Sequence, residues 1–289
     1  MVCAMASVPT IRRRRLGAAL RRLREATGMS LDTVADQLGW STSKVSRIEL
    51  AKIAVTPADV RALLGALEVP LSDEVETLVN LAAEDRQPGW WRQYAEVLPA
   101  WFEGYLSLES EASRLLAYES EVVPGLLQTE DYAAEIVRHS PYTALPDEAA
   151  RAAELRRARQ VRLNGDDPVH LDVVINEGAL RRIVGGPDVM AVQLRRLVET
   201  TELANVILRV LPFATGAHPG VDGSFTVLEF SDPGDPRIVY LDRMTDSDYL
   251  EGLRDVAAYR HAHEQLRVSA LPPDESHEMI SGIVKELMR

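Results

Sequence analysis

The residues whose types best fit a chemical role are hydroxyl and basic side chains in a short polar segment between residues 41 and 47. Such side chains donate hydrogen bonds to the base edges and phosphates of duplex DNA. Their spacing places them on the exposed side of a short helix, of which Val45 and Ile48 form the buried side. The candidate DNA contacts are Ser41, Thr42, Ser43, Lys44, Ser46 and Arg47, with Lys52 just beyond the segment.

The residues before this segment supply the helix against which it must lie. Leu31, Val34 and Leu38 recur three and four residues apart, so they share one helical face. Gly39 can adopt the positive φ of a tight turn between that helix and the next. Residues 31–50 are therefore predicted to form a helix-turn-helix whose second helix presents its polar face to a major groove. A helical hairpin with a merely solvated polar face is the alternative.

Further helical patterns on both sides extend this motif to a compact domain. Three leucines between residues 16 and 23 indicate a preceding helix, and Thr56-Pro57 is typical of the start of a following one. A last helix is expected near residues 72–84. The N-terminal domain is thus predicted to be an all-α, five-helix domain over residues 1–84, followed by a linker at residues 85–89.

The run Val45-Ser-Arg-Ile-Glu49 resembles the xenobiotic-response-element (Xre) family of bacterial regulators, in which Val-Ser-x-x-Glu is a hallmark. The resemblance implies a helix-turn-helix that binds operator DNA. Many members carry glutamine early in the recognition helix and glycine soon after the glutamate, whereas this chain has Ser41–Ser43 and Ala51 in those regions. Without a glutamine or asparagine to form two hydrogen bonds with adenine, the base preference does not follow from the sequence.

Charge is divided unevenly along the 289 residues. The net charge is −12, yet residues 1–70 carry eleven Lys and Arg against six Asp and Glu, a net charge of +5, which leaves −17 for the remainder. A basic N-terminal part can bind phosphates, whereas the acidic remainder is expected to meet a protein or a small ligand. Arg13 and Arg14, within the run Arg12–Arg15, are candidate phosphate or minor-groove contacts ahead of the first helix. A frayed, solvated terminus is the alternative.

Composition limits the class of protein further. The apolar fraction of 46% is that of a globular protein. No run approaches the roughly 18 apolar residues of a membrane-spanning helix, and Met1–Met5 is too short for a signal-peptide core. The single cysteine, Cys3, excludes an internal disulfide and a multi-cysteine zinc site. We expect a cytoplasmic protein with no cofactor and no metal.

From residue 90 onward, strands and helices are interspersed. The order of these segments predicts an α+β C-terminal domain over residues 90–289, with a mainly antiparallel sheet of about four or five strands. Residues 114–121 fit either a helix or a strand, and two helices are predicted to close the chain. The β-rich runs are 169–175, 206–211, 225–230 and 238–241.

Three segments of this domain resemble the actinobacterial family of WhiJ-like regulators. They are residues 122–133 (VVPGLLQTEDYA), 175–187 (INEGALRRIVGGP) and 211–226 with its LPFATGAHPG and GSFT runs. The resemblance covers nearly the whole chain and implies a C-terminal sensor or protein-interaction module, with a small acidic partner protein encoded nearby. Such a partner would dock on an apolar or basic patch, such as the arginines between Arg151 and Arg162, or on the basic N-terminal part.

Two places in this domain are candidates for contact with a partner or a ligand. One is the start of a cluster of six aromatic residues between Trp90 and Tyr105, which is typical of a core or of a binding surface. The other is the loop at residues 215–220, whose glycines permit close approach of a ligand to the backbone; a flexible connection is the alternative. The candidate residues are Trp91, Tyr94, Thr215, Gly216, His218 and Gly220.

Few residues point to catalysis. His261 and His263 lie two residues apart, so they do not share a helical face, and no HExxH motif or carboxylate cluster accompanies them. His263 is expected in the core or at its rim. We therefore expect no catalytic residue, and predict a DNA-binding transcriptional regulator, a homodimer and a repressor, whose C-terminal domain binds a small partner protein or a ligand. An enzyme domain fused to a DNA-binding domain is the alternative.

Overall fold

The computed structural model describes residues 8–70, 72–140 and 146–288. Cys3 and the rest of the Met1–Met5 segment lie outside the described residues. No helix in the described part of the chain is long and apolar enough to cross a membrane. The chain divides into two compact units: the first contains the residues up to 92 together with 106–108 and 232–235, and the second contains the rest.

The first unit has five α-helices among its described residues. The helix-turn-helix predicted over residues 31–50 is confirmed, as α2 and α3. Gly39 between these two helices has a φ of 64°, in the left-handed region that glycine adopts without steric penalty. The helices are α1 Ile11–Thr27, α2 Leu31–Leu38, α3 Thr42–Glu49, α4 Pro57–Ala66 and α5 Asp73–Asp85.

Side-chain caps explain where these helices begin. The Ser41 hydroxyl accepts a hydrogen bond from the backbone N–H of Lys44 at the start of α3. Thr56 and Asp59 form a reciprocal capping box at the start of α4. The apolar faces of the five helices meet in one buried core, which includes Leu16, Leu20, Val34, Val45, Ile48, Val60, Leu64 and Leu78.

The second unit is built around a six-stranded sheet. The strands are β1 Arg114–Glu119, β2 His170–Asn176, β3 Val206–Leu211, β4 Phe225–Glu229, β5 Ile238–Asp242 and β6 Ser247–Leu250. The α-helices that follow the first five are α6 Ala100–Glu111, α7 Glu130–Arg138, α8 Pro146–Arg159, α9 Glu177–Arg181, α10 Pro187–Thr200, α11 Leu253–Ser269 and α12 Pro273–Leu287. Short 3-10 helices lie at Trp90–Tyr94, Gly125–Leu127, Gln160–Leu163 and Phe213–Thr215.

The sheet is mixed, so the prediction of a mainly antiparallel sheet is wrong. Its strand order is β3-β2-β1-β4-β5-β6. The pairs β1–β2 and β2–β3 are parallel, whereas β1–β4, β4–β5 and β5–β6 are antiparallel. The reason lies in the connections. Helices α7 and α8 separate β1 from β2, and α9 and α10 separate β2 from β3, which are the long crossovers that parallel neighbours require.

The elements also differ from the prediction in number and type. Residues 114–121, for which helix and strand were both open, form β1, and this strand lies between β2 and β4 inside the sheet. The short strand β6 and the five-residue helix α9 were not predicted. The two closing helices were predicted, and they are confirmed as α11 and α12.

The two faces of the sheet have different surroundings. On one face, Tyr118 and its neighbours form a core that includes Leu266 of α11. On the other face, Ala117, Thr226 and Tyr240 lie side by side across β1, β4 and β5. These three residues border a cavity of about 570 Å³ within the second unit.

Candidate nucleic-acid interface

The polar side of α3 is the candidate DNA-binding surface of the first unit. Val45 and Ile48 are buried on the opposite side of the same helix, which fixes the direction in which the polar residues point. Thr42 is held within the surface, because its hydroxyl donates to the Asp32 carboxylate at 2.5 Å. Of the predicted contacts, Ser41, Thr42, Ser43 and Arg47 are exposed, whereas Lys44 and Ser46 are half-buried.

Lys44 is held by two neighbours. Its ammonium group lies 3.1 Å from the Asp59 carboxylate and 3.3 Å from the centre of the Trp40 ring. A contact with phosphate therefore competes with an ion pair and a cation–π interaction that exist without DNA. The cations in place for DNA are Arg47 and Lys52, which are exposed and have no side-chain ion pair with any residue that the structure describes.

Two contacts hold α3 in position against α1. The Arg24 guanidinium forms a two-pronged ion pair with Glu49, with N–O distances of 2.6 and 2.9 Å. Gly17 allows the helices to approach so closely that a β-carbon there would lie 2.7 Å from the carbonyl oxygen of Glu49. Glu49, the last residue of the Val-Ser-x-x-Glu run, is thus occupied inside the domain.

Arg13 and Arg14 do not lie ahead of the first helix. The run Arg12–Arg15 is inside α1, which begins at Ile11 and is capped by Thr10. Arg13 pairs with Asp85 at 2.9 Å and Arg14 donates to the Pro9 carbonyl oxygen at 3.1 Å. The prediction that these arginines precede the first helix is therefore wrong, because the Thr10 cap and the contact with the end of α5 extend helical structure through them. Their contact with DNA stays a prediction.

The candidate aromatic residues contribute mainly to packing. Tyr94 is buried, and the Arg151 guanidinium lies 4.4 Å from the centre of its ring. Trp91 is half-buried and makes an edge-to-face contact with Trp90. Neither residue lines the cavity beside the sheet. Their role in partner binding stays a prediction.

The loop at residues 215–220 is held by hydrogen bonds within the loop and to Ser269. The backbone N–H of Gly220 donates to Nδ1 of His218 at 3.1 Å, and the Thr215 hydroxyl reaches the Ser269 carbonyl oxygen at 3.4 Å. Gly216 has a φ of 70°, and a β-carbon on Gly220 would overlap the Tyr118 ring. The glycines thus serve the chain's own turn and packing, and the loop does not line the cavity.

The arginines between Arg151 and Arg162 do not form a free basic patch. Four of them are held by carboxylates or carbonyl oxygens, and only Arg156 has no ion pair or hydrogen bond with the described residues. The held contacts are Arg151 with Glu96 and Glu154, Arg157 with Glu130, Arg159 with Glu109, and Arg162 with the carbonyl oxygens of Ala112 and Asp167.

His263 is buried, as the sequence predicted for a residue of the core or its rim. Its Nε2 donates to the carbonyl oxygen of Asp172 at 3.1 Å. Burial lowers the pKa of this imidazole, and the neighbouring Asp172 opposes that effect. His261, by contrast, is exposed, so the two imidazoles point in different directions.

The cavity gathers residues that the sequence analysis did not single out. Glu119, Arg156 and Tyr240 come from β1, α8 and β5, which are far apart in the chain. No motif joins them, because only the strand register and the packing of α8 on the sheet bring them together. In the sequence, only the charge of Arg156 could have indicated the cavity, and it is not distinctive, because residues 147–162 alternate acids and arginines as a solvated helix does.

Two parts of the chain match known families. Residues 15–78 match the family described as a helix-turn-helix domain. Residues 102–282, more than half of the chain, match the family described as a domain of unknown function, DUF5753. No curated protein and no solved structure matches the chain.

Proposed function

Because this chain belongs to the DUF5753 family and carries a helix-turn-helix domain at residues 15–78, we propose that it is a sequence-specific transcriptional regulator of the Xre type and acts as a repressor. The observation that supports this proposal is the exposed polar side of α3, fixed against α1 and α2 by its buried side. The net charge of +5 over residues 1–70, which include α3, favours the approach of this part of the chain to phosphates.

The test is the affinity of the full chain for a duplex operator selected from random sequences. Arg47→Ala removes an exposed cation from the polar side of α3. It should weaken binding at least about tenfold and, if Arg47 contacts a phosphate, lower the slope of log affinity against log salt by about 1.

Arg61→Ala is the matched control, because Arg61 is an exposed arginine of the same unit that pairs with Glu76. It should leave operator affinity unchanged. Equal affinities of the wild type and Arg47→Ala at physiological salt would overturn the assignment of this surface.

We propose further that the chain binds DNA as a homodimer. One eight-residue recognition helix offers few base contacts, and the usual remedy is a pair of half-sites about 34–36 Å apart. Sedimentation of the full chain, free and with a selected operator, measures this directly. A monomer in both conditions would contradict the proposal.

The second unit is proposed to control operator binding by binding a small acidic partner protein or a ligand. Because the arginines of α8 are mostly held by carboxylates, we expect an acidic partner on an apolar patch or on the basic part at residues 1–70. Capture of a partner by the full chain from its native host, followed by operator binding with and without that partner, tests this. Turnover of a metabolite by the chain, with no change of operator affinity, would favour the enzyme alternative.

A further inference from the structure

The cavity of the second unit lies between the sheet and the helices that cover one of its faces. Its volume of about 570 Å³ falls within the range of roughly 300–1,000 Å³ that small-molecule sites occupy. Small side chains explain the space, because Ala117 and Thr226 stand opposite each other in the middle of the sheet. Helices α6, α7 and α8 and the segment at residues 122–128 contribute further walls. Nothing in the proposed function assigns a role to this cavity.

One wall of the cavity is aromatic. The rings of Phe102 and Tyr105 are stacked with centres 5.2 Å apart, and the rings of Tyr105 and Tyr240 are 4.3 Å apart. Tyr105 and Tyr240 are buried, so these rings are held by their surroundings. A flat conjugated ligand gains both buried apolar area and ring–ring contact on such a wall.

Arg156 is the cation of the cavity that lacks a direct partner. The neighbouring Arg159 is buried in an ion pair with Glu109, with N–O distances of 2.8 and 2.7 Å. Arg156 lines the same cavity, yet it makes no ion pair or hydrogen bond with any residue that the structure describes. Burial lowers its pKa to about 10, so it remains charged at neutral pH. A charge in this position calls for an anion.

The carboxylates that face the cavity do not supply that anion at close range. Asp242 lines the cavity and its charge favours the charged form of Arg156, but it makes no ion pair with Arg156 within 4 Å and it is exposed to water. Burial raises the pKa of Glu119 to about 7, with Asp242 adding to the rise and Ser224 and Arg159 opposing it. Glu119 is therefore only partly ionised at neutral pH.

Two buried polar atoms of cavity residues lack hydrogen bonds. Oε1 of Gln128 has no donor, although Nε2 of the same side chain donates to the Val123 carbonyl oxygen at 2.7 Å. The Tyr240 hydroxyl lies near Asp242 but makes no well-formed hydrogen bond with a described residue. Buried groups of this kind are rare in folded proteins, and an ordered water or a polar group of a ligand would satisfy them.

We propose that this cavity binds a small aromatic carboxylic acid, whose carboxylate contacts Arg156 and whose ring lies against Phe102, Tyr105 and Tyr240. A hydroxyl on such an acid would satisfy Gln128. The anion is favoured over an amine because Arg156 is the only unpaired cation of the cavity walls, among the residues that the structure describes, whereas the carboxyl groups without an ion pair there are partly protonated (Glu119) or exposed to water (Asp242). The proposal concerns binding to the free chain and does not depend on DNA.

The test is calorimetric titration of the full chain with benzoate, 2-naphthoate and anthracene-2-carboxylate, together with the neutral 2-naphthamide and the cation 2-naphthylmethylammonium. At least one carboxylate should bind, and 2-naphthoate should bind at least about tenfold more tightly than its amide or its amine analogue. Arg156→Gln should weaken 2-naphthoate binding roughly 10- to 100-fold and change amide binding far less.

Arg157→Gln is the matched control, because Arg157 is the next residue of α8 but is exposed and paired with Glu130. It should leave the affinity for 2-naphthoate unchanged. A second variant, Ala117→Leu, fills the middle of the cavity and keeps Arg156, and it should abolish binding of every carboxylate. Thermal melts identify which variants are folded.

Three results would overturn the proposal. They are tighter binding of the amine than of the carboxylate, equal losses in Arg156→Gln and Arg157→Gln, and no binding of any carboxylate up to its solubility limit. Full 2-naphthoate affinity in a folded Ala117→Leu chain would also overturn it, because the acid would then bind elsewhere. Failure of the chain to bind an operator would leave all of these outcomes unaffected.

Discussion

Glu49 belongs to the run that resembles a DNA-binding family, yet its carboxylate is not available for DNA. Its side chain is 7% exposed and is held by Arg24, which is itself 12% exposed and also donates to the Met29 carbonyl oxygen. The glutamate therefore fixes where α3 lies. The polar residues around it, Arg47 above all, are left to contact DNA.

Glu49→Gln should destabilise the first unit by about 2–3 kcal/mol, because it leaves Arg24 nearly buried without its counter-charge. Chemical denaturation of the full chain, followed by its tryptophan fluorescence, measures the change. Glu76→Gln is the matched control, because Glu76 pairs with Arg61 and both side chains are exposed, and it should leave the midpoint nearly unchanged. Equal midpoints of the wild type and Glu49→Gln would contradict this role.

Part of this arrangement can be predicted from the sequence. Polarity and spacing identified the exposed side of α3, because a helical period decides which residues share a face. The same pattern does not reveal that Lys44 is held by Asp59, since that contact depends on how α4 folds back after the turn. The ion pair between Arg13 and Asp85 is not predictable from the sequence either, because it depends on how the start of α1 packs against the end of α5.

At the scale of elements, the crossing of α1 and α3 depends on one glycine. A β-carbon at Gly17 would lie 2.7 Å from the Glu49 carbonyl oxygen and 2.8 Å from that of Ile48. Both contacts are with backbone, which cannot rotate away. The helices must separate if this position carries any side chain.

Gly17→Ala should therefore lower the stability of the first unit by about 1–3 kcal/mol, through overpacking, and weaken operator binding by displacing α3. Gly65→Ala in α4 is the matched control, because a β-carbon there meets nothing within 4 Å. This control should raise stability by about 0.5–1 kcal/mol, the helix propensity of alanine over glycine. Thermal melts and operator titrations of the two variants provide the comparison, and a stable Gly17→Ala chain with full operator affinity would refute it.

The prediction of a mainly antiparallel sheet was wrong because it was based on the strand patterns and not on the connections between the strands. Four strands were found from their β-branched runs, but pairing direction depends on what lies between them. Helices α7 and α8 lie before β2, and α9 and α10 lie before β3; such helical crossovers are the connections that parallel neighbours require. β6 could not be found this way, because Ser247–Leu250 is four residues long and mixes polar and apolar residues.

At the scale of the whole molecule, the cavity makes stability depend on pH. Glu119 borders it and binds its proton more tightly in the folded chain than in the unfolded chain, since burial raises its pKa from 4.5 to about 7. Between these two pH values the folded state holds more protons. Glu119 by itself should therefore make the stability of the second unit fall as pH rises from about 4.5 to 7 and stay level above that, whereas the lowered pKa of His263 acts in the opposite direction below 6.5.

Glu119→Gln should remove this dependence. At pH 8 the variant should be more stable than the wild type by up to about 3 kcal/mol, and at pH 5 the two should be similar. Denaturation at both pH values measures the difference. Glu121→Gln, which changes an exposed partner of Arg182 two residues further on, should follow the wild type at both. Parallel pH profiles of Glu119→Gln and the wild type would show that Glu119 is not the group responsible.

The place of β1 in the sheet also sets the order in which the chain can fold during synthesis. Arg114 pairs with His170 on one side and with Glu229 on the other, more than one hundred residues later. The five helices α1–α5 and the core between them lie within residues 11–85, and helical domains with such local contacts fold in microseconds to milliseconds. A ribosome adds about 5–20 residues each second, so several seconds pass before β1 can meet its last partner. The helix-turn-helix can thus fold, and present its polar side, before the ribosome has synthesised all strands of the sheet.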